Sequence, residues 1–352
     1  MPRFETGTVE QVVQSASGLQ RLRVRVGDEL RDAVLFTRFA APANEGDRVV
    51  LNTTATALGL GSGGEDFVVW NLAHESHESA GGGHIMKLRY TPMQTEVLAV
   101  EAPESPHHAT MAAADTIDGM PVLAASLHSQ LLPVVAGVRT RAPNARITYV
   151  MTDGGALDAS VSDTVRRLRE LGWLTSVITV GHAVGGDLEA VNVYSGMLAA
   201  KAVTEADVTV VGMGPGVVGT ATAFGTTALE LGLTLNAAAS LDGRPIAVVR
   251  MSEGDARERH SGISHHALTA LLRVAAAAAD VPVPRGHASG LDEVRAAHKV
   301  IEVDATPVLR ELEAAQTHGL RPLHMGRGPE SDRLFFLAAG AAGIHAASYV
   351  TA

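Results

Sequence analysis

The amino-acid sequence predicts a small N-terminal β-barrel followed by a Rossmann-like, doubly wound α/β domain with a mainly parallel sheet. Three observations carry that expectation. The N-terminal runs are short, rich in Val and Thr and separated by turn sequences, whereas the chain beyond residue 115 alternates strand and helix patterns. The later strand runs are continuous and β-branched, as in a parallel sheet covered on both faces. The 352 residues also exceed what one hydrophobic core usually serves. Two domains are therefore expected, 1–95 with its connector and 115–352, with the boundary inside 80–115.

GTVEQVVQS, LQRLRVRVGDEL, RDAVLFTRF and GDRVVLNTTAT read as barrel strands between GD and PANEGD turns. LRVRVGD alternates apolar and charged residues, as a half-exposed strand does, and closure into a barrel leaves few free edges. GLGSGGEDFVVWNL adds a glycine-rich loop and another strand. AHESHESAGGGHIMKLRYTPMQ and VLAVEAPESPHH, dense in Pro, Gly and acids, form the connector. GMPVLAASLHSQLLPVVAGVR reads as a long apolar-faced helix. ITYVM is a strand, and SVSDTVRRLRELG a helix with Val161, Val165, Leu168 and Leu171 on one face and Gly172 as its stop. SVITV precedes a helix over about 187–203, and DVTVVG one over about 217–231. IAVVRM precedes ISHHALTALLRVAAAAA, and KVIEVD precedes TPVLRELEAAQTHG. LFFLAAGAAGIHAASYV, broken by His345 and Ser348, reads as a packed helix and strand rather than a membrane span.

Hydrophobic residues make up 46% and charged residues 19%, which fits a folded chain and not a disordered one. The formal net charge of −10 repels nucleic acid and anionic lipid, so neither is an expected partner, and a bound phosphate needs a local site. The absence of cysteine excludes disulfides, thiolate metal sites and cysteine nucleophiles, and it fits the cytoplasm. MPRFETGTVEQ has no apolar stretch of the secretory kind.

Ligands of such sheets bind beyond the carboxyl ends of the strands. Five loops expected there, MTDGGALD, VGHAVGGDLEAVN, VGMGPGVVGTAT, MSEGDARERHSGISHH and LHMGRGPESD, are dense in Gly, Asp, His and Arg. Gly214, Gly216 and Gly219 form G-x-G-x-x-G between a strand and an expected helix start, where free N–H groups can hold a phosphate. Thr220 adds a hydroxyl, while Pro215 removes one amide donor. The alternative is a bare tight turn. Asp242 is either a ribose ligand or the turn residue of LDGRP.

Asp187, after two glycines, is read as a helix N-cap or as a catalytic carboxylate. His182 joins a polar ligand set or a solvated face. Asp153 in TDGG is a turn residue or a ligand contact. In RERHSGISHH, Arg257 and Arg259 suit bidentate anion binding, and His260 can move a proton near neutral pH. Ser261 or Ser264 caps the following helix. His74, His77 and His84 have a spacing that histidine metal sites use, but no fixed partner follows, so a solvated linker is expected and no metal site is assigned.

Taken together, GHIMKLRYTPMQ, MTDGGAL, GHAVGGDLEAVN, GMGPGVVGTAT, RHSGISHH and HMGRGP resemble a bacterial family of about this length that is defined only as a domain of unknown function. The resemblance spans nearly the whole chain and implies a bacterial, cytoplasmic protein; it carries over no catalytic residues. The residues themselves lead to an expected role: binding of a phosphate-bearing, nucleotide-like small molecule at the strand-end loops. Hydrolysis or group transfer by the His260, Asp187 and arginine set is a possible extension, and no cofactor is assigned. A non-catalytic sensor or scaffold with structural loops is the competing class, and a homo-oligomer stays open.

Overall fold

In the computed structural model, which describes residues 2–60, 63–79 and 82–350, alternation along the second strand sorts its side chains. Leu22, Val24 and Val26 are buried while Arg23 and Arg25 stay outside, where they pair with Asp32 and Glu10. Strands β1 (Phe4–Ala16), β2 (Leu19–Val26), β3 (Glu29–Phe36), β4 (Arg48–Asn52) and β5 (Asp66–Asn71) close into a barrel in the order β1-β2-β3-β5-β4. Its core includes Val9, Leu22, Val24, Leu35, Val49 and Leu51. Gly61 and Ser62 of the glycine-rich loop lie outside the described residues. A two-stranded ribbon, β6 (Ile85–Lys87) with β7 (Thr95–Val97), follows. The chain divides between residues 97 and 98 into two units.

The second unit is built on an eight-stranded, wholly parallel sheet. Its strands are β8 (Pro121–Ala125), β9 (Ile147–Thr152), β10 (Ser176–Thr179), β11 (Leu188–Glu189), β12 (Val208–Met213), β13 (Arg244–Val248), β16 (Asp280–Pro284) and β17 (Lys299–Val303). Between the last two groups, β14 (Met251–Ser252) and β15 (Gly262–Ile263) form a small antiparallel ribbon. The sheet order is β11-β10-β9-β12-β8-β13-β16-β17. The chain leaves β8 toward one edge and β13 toward the other, so a topological switch point lies between these two neighbours. Successive residues of β8 feed opposite faces: Val122 packs in one hydrophobic cluster and Leu123 in another. Continuous apolar sequence is what burial on both faces demands.

On one face the helices Leu131–Arg139 and Arg333–Ala347 touch without side chains between them. A Cβ on Gly343 would meet the Val134 carbonyl oxygen, and one on Gly137 the Gly340 carbonyl oxygen. No helix among the described residues is long and apolar enough to cross a membrane.

Several expected elements differ. GMPVLAASLHSQLLPVVAGVR is not one helix but β8, a turn and the helix Leu131–Arg139. A run apolar on every side has no face to betray its period, and the central strand needs none. The helix expected from residue 187 begins instead at Val193, capped by Asn192, whose Oδ1 accepts from the amides of Tyr194 (2.9 Å) and Ser195 (3.1 Å). Residues 180–187 are used to carry the chain back along β10 so that β11 can run parallel to it. The helix expected from residue 217 begins at Glu230, after a single 3-10 turn. Residues 218–227 close on themselves through Thr220 N–H to Gly225 O (2.8 Å) and Thr227 N–H to Val218 O (3.0 Å), as suits a stretch of Val, Thr and Gly with low helix propensity. The alanine run after Leu271 is not helical. Asn236 of the helix Glu230–Ser240 accepts from the Ala276 and Ala277 amides and donates to the Val274 carbonyl, turning the chain into β16. Residues 348–350 form no strand. Asp242, with φ +53°, sits in the turn before β13.

The glycine crossing makes a direct prediction. Gly343→Val forces the two helices apart and should lower unfolding free energy by about 1–3 kcal/mol, read from urea denaturation. An unchanged midpoint would show that the crossing tolerates separation.

Candidate functional site

A cavity of about 410 Å³ lies at the carboxyl ends of β8, β12 and β13, at the switch point. The buried side chain of Gln130 fixes its base. Oε1 accepts from the amides of Ser126 and Leu127 (3.0 Å each), and Nε2 donates to the Val248 carbonyl (3.1 Å). The loop after β8 is thereby tied to the end of β13. It presents His128 and Ser129 to the cavity, and the loop after β12 contributes residues 215–219.

The third wall is cationic. Arg250, Arg257 and Arg259 line the cavity, and among the described residues no carboxylate does. The acids stand behind the arginines. Asp255, its side chain 3% exposed, accepts from Arg250 Nη2 (2.9 Å), Arg257 Nη2 (2.7 Å) and Arg257 Nε (2.9 Å). Hydrogen bonds from Arg257 hold its carboxyl far below the usual range. Burial pulls Arg250 down to about 10, so it stays charged at neutral pH. Asp332 accepts from Ser252 Oγ (2.7 Å), the amides of Glu253 and Gly254, and Arg327 Nε (3.1 Å). Arg259 is exposed and has no ion-pair partner among the described residues.

Histidines complete the lining. His260 is 2% exposed, with Nδ1 2.8 Å from Ser264 Oγ. Burial, then Arg250 and Arg257, push it down to about 3. His266 is pushed to about 4 by burial and by His265. His324 stacks flat on Phe335 at 3.9 Å between ring centres, with Nδ1 3.0 Å from Ser129 Oγ. Burial, then Arg250 and Arg327, lower it to about 4. The Nε2 atoms of His266 and His324 and the Nε of Arg250 are buried without a hydrogen-bond partner among the described residues. The cavity thus joins charged guanidinium groups, neutral imidazoles and unsatisfied polar nitrogens, a set suited to an anion.

Of the residues singled out from sequence, Gly216, Gly219, Arg257, Arg259 and His260 meet here. Gly214 does not line the cavity: a Cβ there would stand 2.5 Å from the Ala156 carbonyl oxygen, so its glycine serves loop packing. Gly216 has φ +112°, a backbone requirement of its own. Because no helix opens at Val217, the expected helix-start phosphate cradle is absent. Thr220 turns inward to the Gly225 carbonyl (3.0 Å). Arg257 is already engaged bidentately by Asp255, so the two-arginine clamp reduces to Arg259 with the edges of Arg250 and Arg257.

Asp153 accepts from the His182 amide (2.9 Å), a tie between the ends of β9 and β10 outside the cavity lining. Asp187 lies at the amino end of β10, bonded to the Val177 amide (2.8 Å) and Arg169 (2.8 Å), and cannot act with His260. Ser264 precedes the helix His265–Thr269 but its hydroxyl serves His260 instead of a cap. In the connector, His77 Nε2 lies 3.0 Å from the Thr37 carbonyl oxygen. Sequence reading missed Arg250, Ser129, His128, His266 and His324 as lining residues. Arg250 left a signal: it is the first charge after the continuous run IAVV, hence the residue at the sheet's carboxyl edge.

Two expectations follow. Asp255→Asn leaves Arg250 buried without its counter-ion, and should cost about 3–5 kcal/mol of stability in urea unfolding; a change under about 1 kcal/mol on the same scale would show that the pair is dispensable. His324 is held neutral, so an unfolded chain takes up its proton more readily than the fold does. Its contribution is present above the ordinary value of 6.5 and is lost as pH falls toward about 4. Stability measured across that window should decline, and His324→Gln should flatten the decline.

No curated protein matches this sequence. A family model described as a protein of unknown function (DUF3866) matches residues 32–343, a span that takes in every loop of the cavity. On that match, the chain belongs to the DUF3866 family.

Proposed function

We propose that this protein binds a phosphate-bearing, nucleotide-like small molecule in the switch-point cavity. One observation carries the reading. In a chain with 38 acidic and 28 basic side chains, the cavity is lined by three arginines and no carboxylate. Chance placement on an acidic protein does not favour that wall, and the one carboxylate between Arg250 and Arg257 leaves an excess of positive charge facing the cavity. Guanidinium groups match phosphate oxygens in geometry as well as charge. The volume of about 410 Å³ lies within the usual range for small-molecule sites. Val217, Val218 and Leu323 stand exposed at the cavity's edge, 41%, 60% and 47% accessible, and offer apolar surface to the rest of such a ligand. A chain without cysteine gains nothing from an oxidising compartment, which supports placing this binding in the cytoplasm.

The test centres on Arg259, because Gly216 needs its positive φ and any side chain there would disturb the loop by itself. Inorganic pyrophosphate, nucleoside monophosphates and sugar phosphates are screened by thermal shift, then by calorimetry. At 100 times its Kd a true ligand should stabilise the protein by about 2.7 kcal/mol. Arg259→Ala should weaken binding by about tenfold or more, with the melting temperature of the free protein unchanged. If no phosphate compound stabilises the wild type, or the variant binds equally well, the loops are structural and the scaffold role takes its place.

A further inference from the structure

Beside the arginine wall stands a second cluster that anion binding does not account for. His260, His265 and His266 each bring a ring nitrogen within 4.8 Å of the other two. Their ring centres are 4.0 Å apart for His265 and His266, and 5.2 Å for His260 with either. Buried polar nitrogens ordinarily find hydrogen-bond partners. Here the Nε2 atoms of both His265 and His266 are buried and have none among the described residues, and His266, 7% exposed, lines the cavity. We propose that His260, His265 and His266 form a binding site for a divalent transition-metal ion of the zinc class, open on one side to the cavity.

The chemistry of the donors fits. Neutral imidazole nitrogens are zinc ligands, and three of them plus one open position are a recurrent arrangement. Zinc–nitrogen bonds of about 2.0–2.1 Å draw ring nitrogens closer than 4.8 Å, so binding requires the rings to turn toward one another. His260 has the outer-shell contact that ligating histidines ordinarily have: with Nδ1 turned to Ser264 Oγ, Nε2 is left for a ligand role. Ser264 is itself fixed by its amide, which donates to the Arg250 carbonyl (3.0 Å).

The arginines oppose a cation, and this sets the partner of the site. Asp255 offsets part of their charge from behind. An anion seated on Arg250, Arg257 and Arg259 offsets the rest, and its oxygen can occupy the fourth metal position. Metal and anion should therefore bind with positive coupling. This coupling rests on the phosphate-binding reading; the three-histidine site does not.

The full-length protein is stripped with chelator and titrated with Zn2+, with Co2+ as a spectroscopic probe, and metal content is measured after dialysis. The expected result is near one metal per chain, strong visible Co2+ absorption of a tetrahedral nitrogen site, and at least tenfold weaker binding in His266→Ala. Because His266 is buried, the half-exposed His265→Ala serves as the second variant, with circular dichroism confirming its fold. His77→Ala should change nothing. No metal above background in the wild type, or equal metal in folded His265→Ala, overturns the proposal. Inorganic phosphate should then tighten Zn2+ binding in the wild type but not in Arg259→Ala. A phosphate thermal shift in metal-free protein with no Zn2+ binding removes only the metal site. Zn2+ binding without any phosphate effect leaves the metal site and removes the anion reading.

Discussion

Two buried carboxylates hold the site together. Asp255 binds Arg250 and Arg257 from behind, and Asp332 binds Arg327, Ser252 and the amides of residues 253 and 254. Without them the guanidinium groups would repel one another and scatter into water, as charge in a desolvated setting must be paired. Asp332 is also the residue before the helix Arg333–Ala347, whose Leu334 amide donates to Glu253 Oε1 (3.1 Å). The loop that carries the arginines is thus bolted to the start of the last long helix. Cationic wall, ribbon β14–β15 and helix keep their places through one small network of charge-assisted bonds.

Much of this fold was legible where local pattern and tertiary role agree. β2 announced itself by alternation because one face meets water, and β9, β10 and β12 by β-branched runs because both faces are covered. Legibility ended where the two part. PVLAA in β8 and LLPVVAGVR in the helix Leu131–Arg139 are equally apolar, so nothing local separates them. The alanines after Leu271 have high helix propensity, yet Asn236, a residue from another helix, captures their amides. Such contacts exist only after the chain has packed. The start of the helix Glu230–Ser240 left a fainter mark: Thr226 accepts from the Ala228 amide, a cap that the glycines upstream overshadow.

The site was legible in its charges and not in its geometry. RERHSG stood out because arginine and histidine crowd a loop at the predicted sheet edge, and its Arg257, Arg259 and His260 do line the cavity. The G-x-G-x-x-G stretch drew attention for another reason: its glycines serve backbone packing at Gly214 and a left-handed turn at Gly216. Asp187 followed glycines as a cap would, but those glycines let the chain double back along β10, where a Cβ on Gly186 would meet three backbone atoms at 2.8 Å. His324 comes from a loop far away in sequence, and only the closing of the sheet brings it to Ser129.

The contact of Gly137 with Gly340 and Gly343 also has a consequence in time. A ribosome releases the chain from its N-terminus, so every strand of the barrel is available for pairing before β8 emerges. The α/β unit enjoys no such order. The helix that follows β8 stays uncovered on one side until the last long helix has been made, because that late partner alone supplies the glycine face it fits. Contacts so distant in sequence form slowly. During synthesis this apolar face is therefore exposed for longer than any part of the barrel.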